Sequence, residues 1–302
     1  MTFNASDPSG AGGLTADIMA IASAGGHSMA IVTGAYVRDS AEVLHHFSFG
    51  DDAVTEQART ALEDIPVSAI KVGFVGSLEN ISAIAEIAAD YSDVPLVAYM
   101  PNLSWWDEDK IDSYLDAFGE LLLPQTAVLV GNHSTLWRWL LPDWPSERSP
   151  SAKDIAQAAG QLGVPYTLVT GIPLPEQFID NVLATPLAVL HHEKFERFEA
   201  VFSGAGDTLS AALTALLASG SDLPAAAAEA LSYLDQSLNA GFHPGMGHAL
   251  PDRMFWAQTE HEPDGDTDIS PSNEAALTID AEPAPTFLKP FFDMPPNGTT
   301  KH

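Results

Sequence analysis

Short apolar runs of strand length alternate with longer helical patterns from the first residue to about position 258. The strand-like runs cover residues 30–37, 69–75, 95–100, 127–130, 166–170 and 187–190, and a very short one opens the chain at 2–5. Helical patterns fill 51–65, 79–91, 110–122 and 151–162. Strands separated by helices of that length cannot pair as hairpins and require crossover connections, so the expected fold is α/β. It should be doubly wound, a mostly parallel sheet with helices on both faces and right-handed crossovers. The domain is expected to span 1–258, because near 259 the pattern stops. Nine acids and two lysines then share 44 proline-rich residues without a sustained period, which reads as an acidic, mostly disordered tail over 259–302. Within it, Phe287, Leu288, Phe291 and Phe292 flank Pro290 as the one apolar patch.

Charge and composition then exclude several classes. Acids number 41 against 12 lysines and arginines, a formal net of −29. Nucleic acids and anionic membranes both need a basic footprint, so neither is an expected partner. No stretch reaches the roughly 18 apolar residues that span a bilayer. No cysteine is present, which excludes disulfides and zinc-thiolate sites and fits a reducing compartment; the expected location is the cytoplasm. The acidity reads either as solubility in a salty medium or as a face for a basic partner protein.

Two glycine-rich elements carry the chemistry. Gly204-Ala205-Gly206-Asp207-Thr208-Leu209-Ser210 runs directly into an Ala/Leu stretch of strong helix formers. Such a loop turns amide N–H groups toward the first turn of a helix, where the macrodipole favours an anion. Asp207 is either an ordinary N-cap or, with a substrate hydroxyl in reach, the acceptor of its proton while the adjacent amides hold the transferring phosphate. The second element, Asn4-Ala5-Ser6-Asp7-Pro8-Ser9-Gly10-Ala11-Gly12-Gly13, also precedes a helix but lacks the GxxxxGK[ST] pattern. Asp7 there could cap that helix or orient the loop.

The pair of loops at opposite ends of one domain resembles the hydroxymethylpyrimidine and phosphomethylpyrimidine kinases, within the ribokinase-like superfamily. Further matching stretches are Ala16-Asp17, Lys71-Val72-Gly73, Leu121-Leu122-Leu123-Pro124-Gln125, Val169-Thr170-Gly171, and Gly241-Phe242-His243-Pro244-Gly245-Met246-Gly247 with Pro251-Asp252-Arg253. The resemblance implies ATP-dependent phosphorylation of a hydroxymethylpyrimidine or its monophosphate, with magnesium held mainly by the ATP phosphates. It implies Asp207 as the catalytic base, Gly204, Ala205 and Gly206 as an anion hole, and Asn132 near the nucleotide phosphates. It puts Ala5, Asp7, Asp17, Arg38, Phe74 and Met100 at the substrate, and it leaves a homodimer open.

Departures from the family pattern matter as much. Arg38 stands where a glutamine reads the pyrimidine, Met100 where an aspartate helps organise magnesium, and Thr135 where an acid follows the asparagine. The first loop reads Gly10-Ala11-Gly12-Gly13 in place of Gly-Gly-Ala-Gly. Magnesium wants oxygen ligands, which a thioether does not supply. Arginine replaces a donor/acceptor amide by a permanent cation with no acceptor. Two alternatives therefore stand beside the kinase. One is a ligand-binding or regulatory paralogue with decayed catalysis, the other a kinase for a related pyridoxal-type substrate.

Of the other residues that invite a site, His45-His46 and His191-His192 are adjacent pairs that a strand sends to opposite faces; they read as surface or loop histidines, and no protein metal site is expected. Lys71 reads as an ordinary strand-end lysine. Trp105-Trp106 read equally as a lid over the pocket or as cover for the core edge.

Overall fold

Nine strands form one sheet in the computed structural model, which describes residues 1–257. They are β1 (Thr2–Ser6), β2 (Ala30–Arg38), β3 (Val43–Ser48), β4 (Ile70–Val72), β5 (Leu96–Met100), β6 (Val128–Asn132), β7 (Tyr166–Pro173), β8 (Phe178–Ala184) and β9 (Val189–Glu196). Their spatial order is β3-β2-β1-β4-β5-β6-β7-β8-β9. The six central strands β2, β1, β4, β5, β6 and β7 are mutually parallel, and β3, β8 and β9 add antiparallel pairings at the two margins. The expected tail lies outside the described residues.

Eight α-helices cover both faces: α1 (Gly13–Ser23), α2 (Asp51–Asp64), α3 (Leu78–Asp90), α4 (Glu108–Ala117), α5 (His133–Leu140), α6 (Ala152–Gln161), α7 (Ala205–Ala218) and α8 (Leu223–Asn239). Side chains alternate across the strands, as their period of two requires. Leu96 and Ala98 of β5 pack with α2–α6, whereas Val97 between them packs with Leu209 and Leu213 of α7 and Leu231 of α8. Both faces being covered explains why the central strands read as unbroken apolar runs. Ala20 of α1 meets Ala211 and Ala215 of α7. These small residues let the two helices approach closely, so their N-termini, each preceded by a glycine-rich loop, stand side by side.

The chain leaves β1 toward β2 on one side and continues through β4 on the other. This reversal creates a crevice at the carboxyl ends of β1 and β4, the place where open α/β sheets bind ligands. A register shift between Asn4 and Ala5 marks the same spot in β1, and bulges of this kind re-aim side chains beside functional sites.

The doubly wound, mostly parallel architecture holds, with three differences from the sequence reading. Strands β3 and β8 gave no clear signal: β3 is an edge strand with half its residues polar, and β8 carries Asp180-Asn181, poor strand formers. The run at 187–190 marks only the start of β9, because Leu187 is a solvent-exposed turn residue and backbone pairing continues through polar positions to Glu196. The helical pattern over 110–122 is two elements, α4 and a π turn at Phe118–Leu122.

Candidate active site

Asp207 sits in the first turn of α7, after Gly204, whose φ of +83° is open to glycine at little cost. A β-carbon on Gly204 would overlap the Ala11 carbonyl oxygen, so the second loop lies directly on the first. The N–H groups of Ala205, Gly206 and Asp207 open α7 and have no carbonyl one turn before them.

Beneath Asp207 lies a buried charge network. Lys71 of β4 is wholly buried and forms ion pairs with Asp17 and, at 2.9 Å, with Asp207 Oδ1. Asn4 Nδ2 donates to Asp207 Oδ1 at 2.8 Å and to Asp17 Oδ2 at 3.1 Å, and Thr2 Oγ1 donates to Asp17 Oδ2 at 2.6 Å. Gly13 N–H donates to Asp207 Oδ2 at 3.1 Å. Asp207 Oδ1 thus faces the protein, while Oδ2 keeps acceptor capacity toward the crevice; its side chain is 16% exposed.

Burial alone would raise the Asp207 carboxyl, but the charge and hydrogen bonds of Lys71, with those of Gly13 and Asn4, hold it below the usual carboxylate range. Burial raises Asp17 instead; Lys71 opposes that and the nearby Asp207 charge adds to it. For Lys71, burial would lower the ammonium, yet the two carboxylates outweigh it and hold it above its ordinary value. If one carboxylate of this group takes a proton, it is Asp17, and Asp207 stays ionised.

The two loops are stitched together by Arg253, itself buried. Its Nε donates to Thr208 Oγ1 at 2.8 Å, its Nη1 to the Gly10 carbonyl at 3.1 Å and its Nη2 to the Ala11 carbonyl. Asp7 orients the first loop from within: it accepts from Ser9 N–H (2.8 Å), Ser9 Oγ (2.7 Å) and Gly12 N–H (2.8 Å). Arg38 adds a longer contact to Asp7, at 3.4 Å.

The residues expected at the substrate are thereby distributed. Asp207, Gly204, Ala205, Gly206, Asp7 and Arg38 come together at the crevice. Ala5 and Asp17 are fully buried below it, and the Asp17 carboxylate is engaged by Lys71, Thr2 and Asn4 rather than facing open space. Phe74 follows β4 and is enclosed by rings: Tyr36 at 5.8 Å, His46 at 4.9 Å, Trp105 at 5.4 Å, Trp106 at 5.0 Å and Tyr114 at 5.4 Å between centroids. Met100 is buried at the end of β5. Asn132 lies apart, at the end of β6, where its Oδ1 accepts from Ser134 N–H at 3.0 Å and caps α5.

Two expectations are corrected. Lys71 is no strand-end lysine; it bridges the site's carboxylates. His46 is no surface residue: it is packed between the backbones at Gly34 and Gly76, and burial lowers its pKa to about 4, so it is neutral. Of the residues that went unrecognised, Asn4, Lys71 and Arg253, the first two share one signal. An amide or cation within a continuous apolar strand has to be buried, and buried charge requires a partner. For Arg253, in a loop, no such signal exists.

Among the described residues no group of three or more His, Cys, Asp or Glu side chains could hold a metal ion. With a thioether at Met100, the residues present do not build a magnesium cage of their own.

Comparison with known proteins places the chain. The family model described as phosphomethylpyrimidine kinase matches residues 7–252. The chain belongs to the phosphomethylpyrimidine kinase family. The hydroxymethylpyrimidine/phosphomethylpyrimidine kinase of Streptomyces coelicolor is 27% identical over 82% of the chain and 91% of that protein. The kinase of the same name from Mycobacterium bovis is 26% identical over 84% and 93%. Among solved structures, an ADP complex of Bacillus subtilis pyridoxal kinase matches with a TM-score of 0.75 at 21% identity, covering 85% of the chain and 98% of its own. Phosphomethylpyrimidine kinase from Clostridium difficile matches at 0.62 and 21%, covering 77% and 97%. A small-molecule kinase on the ribokinase-like fold is what this family membership and these neighbours establish.

Proposed function

We propose that this kinase uses ATP to phosphorylate the hydroxymethyl group of a pyrimidine, its monophosphate, or both, in thiamine biosynthesis. The observation that carries the reading is the Asp207 carboxylate, kept ionised by Lys71 at the N-terminus of a helix whose free amides adjoin it. The reading follows the names of the relatives and the ATP-analogue and ADP complexes of the structural neighbours.

In this mechanism the acceptor hydroxyl approaches Asp207 Oδ2. A lowered pKa makes Asp207 a weak base but guarantees that it is unprotonated at neutral pH. That suffices for a loose phosphoryl-transfer transition state, in which the hydroxyl becomes acidic only as its new bond forms and the proton leaves late. Gly204, Ala205 and Gly206 hold the charge on the transferring phosphoryl through backbone amides. Magnesium would be carried by the ATP phosphates and neutralise them.

The test is ADP release from MgATP with hydroxymethylpyrimidine, with its monophosphate and with pyridoxal, at low and high potassium chloride. The Asp207→Asn protein should lose at least about two orders of magnitude in rate with the hydroxymethyl acceptor. An unaffected rate would remove Asp207 from its role, and turnover of pyridoxal alone would redirect the substrate assignment.

A further inference from the structure

Gly204 is preceded by a hydroxyl that acceptor phosphorylation leaves unused. Ser203 is half-buried, and its backbone is fixed by the bridge between Phe202 and Ala249 and by its own N–H, which donates to the Ala249 carbonyl at 3.0 Å. Its Oγ lies 3.0 Å from His248 Nδ1 and 3.4 Å from Arg38 Nη2. His248 is held in turn. Its backbone N–H donates to the Ser40 carbonyl at 3.0 Å, and the neighbouring Gly247 N–H donates to Ser40 Oγ at 3.2 Å. Arg38 is held through Nε, which donates to the Asp39 carbonyl at 3.0 Å. Groups from three separate segments thus converge on one serine oxygen.

The two contacts on that oxygen are of opposite kinds. An imidazole nitrogen accepts the hydroxyl hydrogen, and a guanidinium donates to the same oxygen. The proton has a place to go, and the charge left behind has a cation beside it. A serine hydroxyl bonded to a base is the arrangement that makes it a nucleophile. Its place in the chain supplies the rest. Ser203 stands one residue before Gly204, and the free N–H groups of Ala205, Gly206 and Asp207, which would hold a transferring phosphoryl, follow within one turn. A β-carbon on Gly12 would meet Asp207 Oδ2 at 2.9 Å and the Gly204 Cα at 3.8 Å, so the serine's segment borders the carboxylate that serves the acceptor.

We propose that Ser203 is a site of autophosphorylation: with no acceptor bound, the chain transfers the γ-phosphoryl of ATP to its own Ser203 Oγ, with His248 as the base. The proposal rests on the kinase reading above for the nucleotide and the anion hole. Ser203 Oγ attacks the γ-phosphorus, the bond from that phosphorus to the β–γ bridging oxygen breaks, and ADP leaves. The hydroxyl proton passes to His248 Nδ1, and the imidazolium so formed returns it to solvent. The phosphoserine anion stands beside Arg38 and the opening turn of α7, both of which favour it. It also fills the acceptor side of the crevice, so a modified chain no longer turns over the acceptor.

The full chain is incubated with γ-labelled MgATP and no acceptor, then followed by intact mass and by peptide mapping. The wild type should gain a single phosphoryl group, mapped to Ser203, at a rate independent of protein concentration, as transfer within one chain requires. Saturating hydroxymethylpyrimidine should suppress the labelling, and acceptor turnover should fall in proportion to the labelled fraction. His248→Asn should slow labelling by about 10²-fold or more, as loss of a general base does, and Ser203→Ala should abolish it. No label, a label on another residue, a rate that rises with protein concentration, or a His248→Asn protein labelled at the wild-type rate would each overturn the proposal. The first three are read on the wild type, so the test decides even where a variant fails to fold. A label on Ser203 without turnover of any acceptor would support the proposal while refuting the acceptor assignment. Turnover of hydroxymethylpyrimidine without a label would do the reverse.

Discussion

Lys71→Met removes the one charge that joins Asp17 to Asp207 while keeping most of the side-chain volume. Exposed ion pairs contribute at most about 1 kcal/mol, but neither Lys71 nor Asp17 is exposed at all and Asp207 only slightly. Removing one partner of a buried pair leaves uncompensated charge and costs about 3–5 kcal/mol. For a domain of this size that lowers Tm by roughly 10 °C. The direction with pH follows from the carboxylates. Without Lys71, Asp17 and Asp207 repel each other in a buried site, and one must take a proton, so the variant's folded state binds more protons than the wild type's. Its deficit should therefore be largest at pH 7 to 8 and shrink as pH falls toward 5. In activity, the Asp207 carboxyl loses what holds it down, and the acid limb of kcat/KM should move to higher pH. Urea unfolding at several pH values measures the first effect and a pH–rate profile the second. Adding Asp17→Asn, which removes the competing charge, should recover part of the stability. A deficit under about 1 kcal/mol at pH 7, or one that does not change with pH, would refute the assignment of Lys71 as the keystone of the site.

Two further outcomes follow from the same geometry. A β-carbon on Gly206 would overlap the hydroxyl and ring of half-buried Tyr99, so Gly206→Ala should displace the first turn of α7 and lower kcat/KM by about 10²-fold; adding Tyr99→Phe should restore part of the rate, and a single variant at wild-type rate would contradict the packing. His46, with its pKa lowered to about 4, favours the folded state only while neutral, so its contribution is full above its unfolded value of about 6.5 and is lost as pH falls from there to about 4. His46→Asn should flatten that decline by up to about 3 kcal/mol in urea unfolding, compared as pH dependence and not as absolute stability, and an unchanged slope would place the histidine in contact with water.

The sequence alone determined the backbone plan and the loops. Buried parallel strands must be largely apolar on both faces, so 69–75, 95–100 and 127–130 were legible as central strands, and glycine at 204 and 206 before a strong helix former announced a tight turn into a helix N-terminus with Asp207 in its first turn. At the antiparallel margins of the sheet the signal faded: β3 and β9 are edge strands with half or more of their residues polar, and β8 between β7 and β9 is broken by Asp180-Asn181, so all three rely on backbone pairing, which carries no mark in side-chain identity. Partnership was beyond the sequence altogether. Lys71, Asp17, Asn4 and Asp207 lie on four different segments, and only the tertiary fold decides that one buried ammonium serves two carboxylates, or that Arg253 closes a loop more than 240 positions away. Charge balance in a low-dielectric interior depends on distances in space, and those exist only once β1, β4, α1 and α7 have been packed together.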